Sequence, residues 1–179
     1  MAEDKKNQSK STKAPTKPKK ESVAAGKDQA ENNASGLSIE KIFLGDVSVE
    51  VPNAPDIFTI HDAPLIDIEL NNTAKPVSDG YFEVSLQVTV TAKQGEKTAF
   101  LVDITQAGIF LLNNVPEEGL EMVLAITCPN ILFPYAREAI SDLIVKAGFS
   151  SVLLNPINFE SLYLKQKQEQ ASENSGQAN

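Results

Sequence analysis

Tyr81-Phe82-Glu83-Val84-Ser85-Leu86-Gln87-Val88-Thr89-Val90-Thr91-Ala92 alternates without a break: Phe82, Val84, Leu86, Val88, Val90 and Ala92 point one way, and Tyr81, Glu83, Ser85, Gln87, Thr89 and Thr91 the other. A period of two over that length is a half-buried β-strand, with one face on a core and one in water. Gln94-Gly95 then supplies a turn, and Thr98 to Leu112 continues as a second long strand rich in Phe, Val and Ile. Together they predict an antiparallel hairpin. Upstream, strands are expected from about Ser38 to Val51 and from about Leu65 to Asn71. Between them Pro52-Asn53-Ala54-Pro55-Asp56 forbids continued ladder pairing and calls for a long crossover. Four strands are the expected sheet.

Downstream the period changes. Leu120, Val123, Leu124 and Thr127 share one helical face, as do Leu132, Tyr135, Ala136, Ile140, Leu143 and Ile144. Pro129 is expected to break or kink the helix between those stretches, Asn130 to cap the new start, and Gly148 to end it in the left-handed conformation that glycine tolerates. A last short helix is expected from Asn158, with Phe159, Leu162 and Tyr163 facing inward. Strands first and helices after predict an α+β layer: a four-stranded antiparallel sheet with a long kinked helix and a shorter C-terminal helix packed on one face.

The ends differ from the middle. Residues 1–36 are rich in Lys, Ser, Thr, Pro, Gln and Asn and lack large apolar side chains, so they read as a disordered basic tail. From about Lys165 onward, Gln166, Gln168, Ser172, Asn174 and Gly176 read as a flexible polar tail, which puts the folded domain at residues 37–164. Net charge is −8 over 179 residues, yet residues 1–36 carry 8 Lys against 5 acids, while the remainder carries 8 Lys plus Arg against 19 acids. An acidic body repels nucleic-acid phosphates and suits basic partners; no nucleic-acid partner is expected. Runs such as Ile109 to Leu112 and Ile131 to Phe133 are far shorter than a membrane span. The start Met1-Ala2-Glu3-Asp4-Lys5-Lys6 has no apolar stretch behind it, so neither a secretory signal nor membrane insertion is expected, and the expected location is the cytoplasm.

Little in the chain suggests catalysis. With one histidine, His61, and one cysteine, Cys128, neither a metal cluster nor a Cys/His pair has support, and no disulfide can form within the chain. Gly95, Gly108, Gly119 and Gly148 are isolated and make no phosphate loop. No cofactor and no enzymatic activity are expected. Period-two parity places Phe43, Val47, Val49, Val51, Ile66, Ile68, Leu70, Phe82 and Val84 inward. It sends Asp46, Glu50, Asp67, Glu69, Glu83 and Asp103 outward, with no matching Lys. That acidic face is either ordinary solvated surface or a docking surface for a basic partner. The strand residues Phe100, Val102, Ile104, Phe110 and Leu112 and the first helix offer more apolar positions than the layer needs, which points to homo-oligomerisation.

Five blocks carry a resemblance: Val51-Pro52-Asn53-Ala54-Pro55, Val88-Thr89-Val90-Thr91-Ala92, Thr98-Ala99-Phe100-Leu101, Gly108-Ile109-Phe110 and Cys128-Pro129-Asn130-Ile131-Leu132-Phe133-Pro134-Tyr135-Ala136-Arg137-Glu138. In order and spacing, across roughly Leu37 to Tyr163, they resemble the SecB family of export chaperones, the last block being the specific one. The resemblance implies a homotetramer, a dimer of dimers, that holds unfolded preproteins without nucleotide and delivers them to the SecA ATPase. It implies SecA docking at Asp46, Glu50, Leu101 and Asp103, and tetramer contacts at Val102, Ile104 and Gln106. It also implies a client groove lined by Phe58, Tyr135 and Tyr163. Asp62 stands where some members carry an aromatic. The same fold would also serve a chaperone of a toxin–antitoxin system or an oligomeric scaffold.

Overall fold

The computed structural model describes residues 36–176. The tail expected over residues 1–36, apart from Gly36, lies outside the described residues. Four antiparallel strands, β1 (Gly36–Glu50), β2 (Leu65–Ser78), β3 (Tyr81–Gln94) and β4 (Lys97–Asn113), form one sheet in the order β1-β4-β3-β2. The β3–β4 hairpin turns at Gly95, which takes φ 61°, a conformation costly for any residue with a Cβ. β2 is twice its expected length. Its second half, Asn72 to Ser78, pairs with β3 although it lacks a regular apolar alternation and contains Pro76, because an edge strand needs only one laddered side.

The helical half follows as α1 (Glu117–Met122), a π-helical turn (Val123–Thr127), α2 (Cys128–Lys146) and α3 (Phe159–Gly176). The break expected at Pro129 does not occur. Residues 117–146 form one 30-residue helical rod. A proline cannot donate to the helix ladder, and the π turn absorbs the mismatch: Cys128 N–H reaches back to the Val123 carbonyl, five residues away. In that pattern the Leu124 carbonyl would await Pro129, and Asn72 Nδ2 of β2 donates to it instead, at 3.2 Å. Asn130 does not cap a new helix; it sits inside the rod and its Nδ2 donates to the Ile126 carbonyl at 2.9 Å. By length and composition alone the rod would also pass as a membrane span, but the sheet takes up its apolar stripe.

That stripe is Cys128, Leu132, Phe133, Ala136, Ile140 and Ile144, pressed on Val84, Leu86, Val88, Val90, Val102, Ile104 and Phe110 of the two central strands. Burying each aliphatic side chain stabilises by roughly 1.5–3 kcal/mol. Tyr135, assigned to the same stripe by its spacing, is 51% exposed and belongs to the opposite side. Gly108 permits the close approach, since a Cβ there would stand 3.1 Å from Leu132 Cδ2 and 2.8 Å from the Phe110 ring. The crossover adds Ile57, 1% exposed, and Phe58, whose ring lies 5.1 Å from Phe149, itself 4.9 Å from Phe100.

α3 starts where expected: Asn158 Oδ1 accepts the Ser161 N–H at 2.9 Å. Phe159 is buried, Tyr163 half-buried and Leu162 exposed, so one of the three expected inward residues stays open. The helix does not stop near Leu164 but runs through the expected polar tail to Gly176.

α2 closes with a Schellman arrangement in which Phe149 N–H reaches the Ile144 carbonyl and Gly148 N–H that of Val145. Gly148 has φ 94°, and a Cβ would stand 3.3 Å from the Phe58 ring. Gly148→Ala is expected to cost about 1–2 kcal/mol, read as a lower urea midpoint at fixed protein concentration.

Candidate functional site

The ladder registers place the outward residues in rows across the sheet. Glu50, Leu101, Thr91 and Asp67 form one row, Ser48, Asp103, Thr89 and Glu69 the next, and Asp46, Thr105, Gln87 and Asn71 a third. The four residues expected at a docking face, Asp46, Glu50, Leu101 and Asp103, therefore lie on one face in three adjacent rows. Asp67 and Glu69 carry the same charge to the far edge. Asp103 is oriented by neutral donors: Thr89 Oγ1–H donates to its Oδ2, and Gln87 Nε2 stands 3.1 Å from each of its oxygens. Among the described residues, no Lys or Arg forms an ion pair with these acids.

Two features of that face depart from simple alternation. Glu83 does have a matching cation, Lys75 Nζ at 3.2 Å on the neighbouring strand. Phe43, expected inward, pairs with Ala107 and shares the outer face with Ser85. Register shifts between Ile39 and Lys41 and between Leu44 and Asp46 insert extra residues in β1, and each bulge reverses the parity that counting by twos assumes. Gln106 secures the second bulge, donating from Nε2 to the Phe43 carbonyl at 2.8 Å.

Val102 and Ile104, expected as tetramer contacts together with Gln106, are 0% exposed and Gln106 3%, on the helix side of the sheet within the chain. The surplus apolar surface lies elsewhere: on the helix side of β1 at Ile39, Leu44, Val47 and Val49, and on the rod and following loop at Met122, Val145 and Leu153, all at least 37% exposed. α2 covers the two central strands and leaves β1 largely bare, which strand periodicity cannot reveal.

The three expected groove residues have three different surroundings. Phe58, 46% exposed, rests on Phe149 at the end of α2, and Tyr135 stands exposed on that helix. Tyr163 lines a cleft of about 140 Å³ between α3, the π turn and β2, with Leu70, Asn72, Leu86, Ala125 and Phe159. Lys167 closes its rim, 2.5 Å from Glu121 and 5.6 Å over the Tyr163 ring. The hydrogen bond from Lys167 holds the Glu121 carboxyl below its usual range, so the contact weakens as pH falls through that lowered value. No group of three or more His, Cys, Asp or Glu among the described residues is placed to hold a metal.

An antiparallel sheet of order β1-β4-β3-β2, backed on one face by a long helix and acidic on the other, matches the block pattern quoted above. The family model described as "Preprotein translocase subunit SecB" fits residues 30–170. The chain belongs to the SecB family of export chaperones. It is 52% identical over 145 residues to the protein-export protein SecB of Methylobacillus flagellatus, covering 81% of this chain and 92% of that one. With that of Dechloromonas aromatica it shares 55% identity over 141 residues, covering 79% and 93%. The SecB-like chaperone of Mycobacterium tuberculosis, solved with a peptide from the HigA1 antitoxin, shares the fold at TM-score 0.58 and 20% identity, covering 68% of this chain and 90% of that one.

Burial at 0% exposure pushes the Cys128 thiol up to about 12. Iodoacetamide at mildly alkaline pH is expected to leave Cys128 unmodified in the folded protein and to alkylate it in urea, read by intact mass.

Proposed function

We propose that this SecB-family chain is a cytoplasmic, ATP-independent holdase that keeps preproteins unfolded and delivers them to the SecA motor. It works as a homotetramer, a dimer of dimers, without catalysis, cofactor, nucleic acid or membrane insertion. The observation that carries the reading is the split of β4 by parity. Leu101 and Asp103 open onto an acidic face with Asp46 and Glu50, while Val102, Ile104 and Gln106 lock the helix layer from the other side.

A face of carboxylates without ion-pair partners among the described residues, set around a half-buried leucine, suits a basic partner with an apolar anchor, which supports Asp46, Glu50, Leu101 and Asp103 as the SecA-docking set. The bare apolar side of β1 and the exposed apolar residues of the rod support two separate subunit contacts, as a dimer of dimers requires. Val102, Ile104 and Gln106 then bear on assembly indirectly, by setting how α2 and the β1 bulge sit. Phe58, Tyr135 and Tyr163 are proposed as client contacts. Being apart, they suit a long extended client touched at several points rather than one deep pocket, and such contacts favour breadth over selectivity. The exposed Asp62 beside the crossover leaves that end more polar.

Dilution of a chemically unfolded preprotein without ATP is expected to show aggregation suppressed near one tetramer per client; no suppression at large excess would refute the holdase. Asp46→Lys and Glu50→Lys are each expected to abolish SecA binding in a pull-down while leaving suppression intact. Loss of both together would overturn the separation of the two faces.

A further inference from the structure

Pro129 confronts the helical rod with a choice between two hydrogen-bond registers. With no N–H at residue 129, a carbonyl of the preceding turn goes without its ladder donor. In the observed π turn, Cys128 N–H serves the Val123 carbonyl and that of Leu124 is left over. In a continuous α register, Cys128 N–H would serve Leu124 itself, and the carbonyl opposite Pro129 would be that of Ala125.

A π turn is the rarer of the two geometries, so a contact from outside the rod has to favour this one. Asn72 of β2 supplies it. Its Nδ2 donates to the Leu124 carbonyl at 3.2 Å, while its Oδ1 is buried without a partner among the described residues. In the α register Leu124 would already be served, and the whole Asn72 amide would stand part-buried and unpaired, which is costly. One side chain therefore favours the π register and disfavours the other.

The two registers present different faces of α1. A π turn holds one residue more than an α turn, so converting it turns α1 by about 100° relative to α2. Counted back from Cys128, the place that Glu121 now fills would be taken by Met122. Glu121 reaches Lys167 of α3 at 2.5 Å, and Lys167 Nζ lies 5.6 Å over the Tyr163 ring. Asn72, Ala125, Glu121, Tyr163 and Lys167 all line the cleft of about 140 Å³, whereas Met122 stands outside it, 50% exposed. The residue that selects the register and the ion pair that depends on it thus share one cleft.

We propose that the π turn is a two-register switch set by Asn72: in the π register Glu121 clasps α3 over the cleft, and in the α register Met122 takes its place and leaves an apolar rim beside Tyr163. This goes beyond the holdase reading and does not depend on it.

A carbodiimide, which joins a carboxylate to an amine in direct contact, reads the register by peptide mass. The unaltered chain is expected to yield a Glu121–Lys167 crosslink. Asn72→Ala is expected to reduce it about tenfold, as is Asn72→Asp, which keeps the size of the side chain but cannot donate. The deciding chain carries Glu121→Gln and Met122→Glu. Its Lys167 is expected to stay uncoupled while Asn72 is present, and to couple to position 122 once Asn72→Ala is added. Deleting Ala125 removes the extra residue and straightens the turn without moving Glu121, so that chain is expected to keep the native crosslink with or without Asn72→Ala. Survival of the native crosslink in Asn72→Ala overturns the proposal. So does its loss without any gain at position 122, which would make Asn72 a packing residue only. If Asn72→Ala alone does not fold, recovery of folding by the Ala125 deletion supports the register role, and failure in both chains overturns it.

Discussion

Everything in this fold depends on the contact between α2 and the two central strands. Phe110, Ile104, Val102, Val88 and Val90 form an apolar floor, and Leu132, Ala136, Ile140 and Ile144 close it to zero exposure. The contact is tight because Gly108 lets Leu132 approach the strand where any larger residue would hold it off. Since the helix spans only the middle of the sheet, the same contact also decides what is left over: a bare apolar flank on β1, and an acidic outer face on the side away from the helix.

That division explains how one strand can serve two purposes. Successive residues of β4 point to opposite sides, so Leu101 and Asp103 are as firmly held outward as Val102 and Ile104 are held inward. A charged patch on such a strand needs no support of its own, because its orientation is enforced by the core behind it. Asp103 gains a further restraint from Thr89 and Gln87, neutral donors that orient the carboxylate without cancelling its charge.

The helical rod shows how a local conflict is resolved by a distant residue. Pro129 leaves the backbone one donor short, the π turn shifts the ladder to accept this, and Asn72 from β2 takes the waiting Leu124 carbonyl. One side chain thereby ties the rod to the sheet edge and lines the cleft beneath α3. Beside the broad apolar contact of α2, single specific contacts tie the remaining elements together: Phe58 on Phe149, Asn72 on Leu124, Lys167 on Glu121.

The strand parity of Tyr81 to Ala92, the hairpin at Gly95, the cap at Asn158 and the stop at Gly148 were all legible along the chain, because each depends on residues within a few positions of one another. The block from Cys128 to Glu138 was specific enough to indicate the family. What the chain alone did not disclose depends on partners remote in sequence. The reversal of Phe43 follows from bulges that only the register with β4 defines, and the survival of the rod past Pro129 needs a donor from β2. The length of β2 is decided by β3 beside it, since its own second half has no alternation. Burial of Val102, Ile104 and Gln106 inside the chain, and exposure of Val47 and Val49 on the same side of the sheet, differ only in where α2 lies. Sequence periodicity determines which face a residue takes; tertiary packing alone decides whether that face is covered, because coverage is set by an element that the strand itself does not encode.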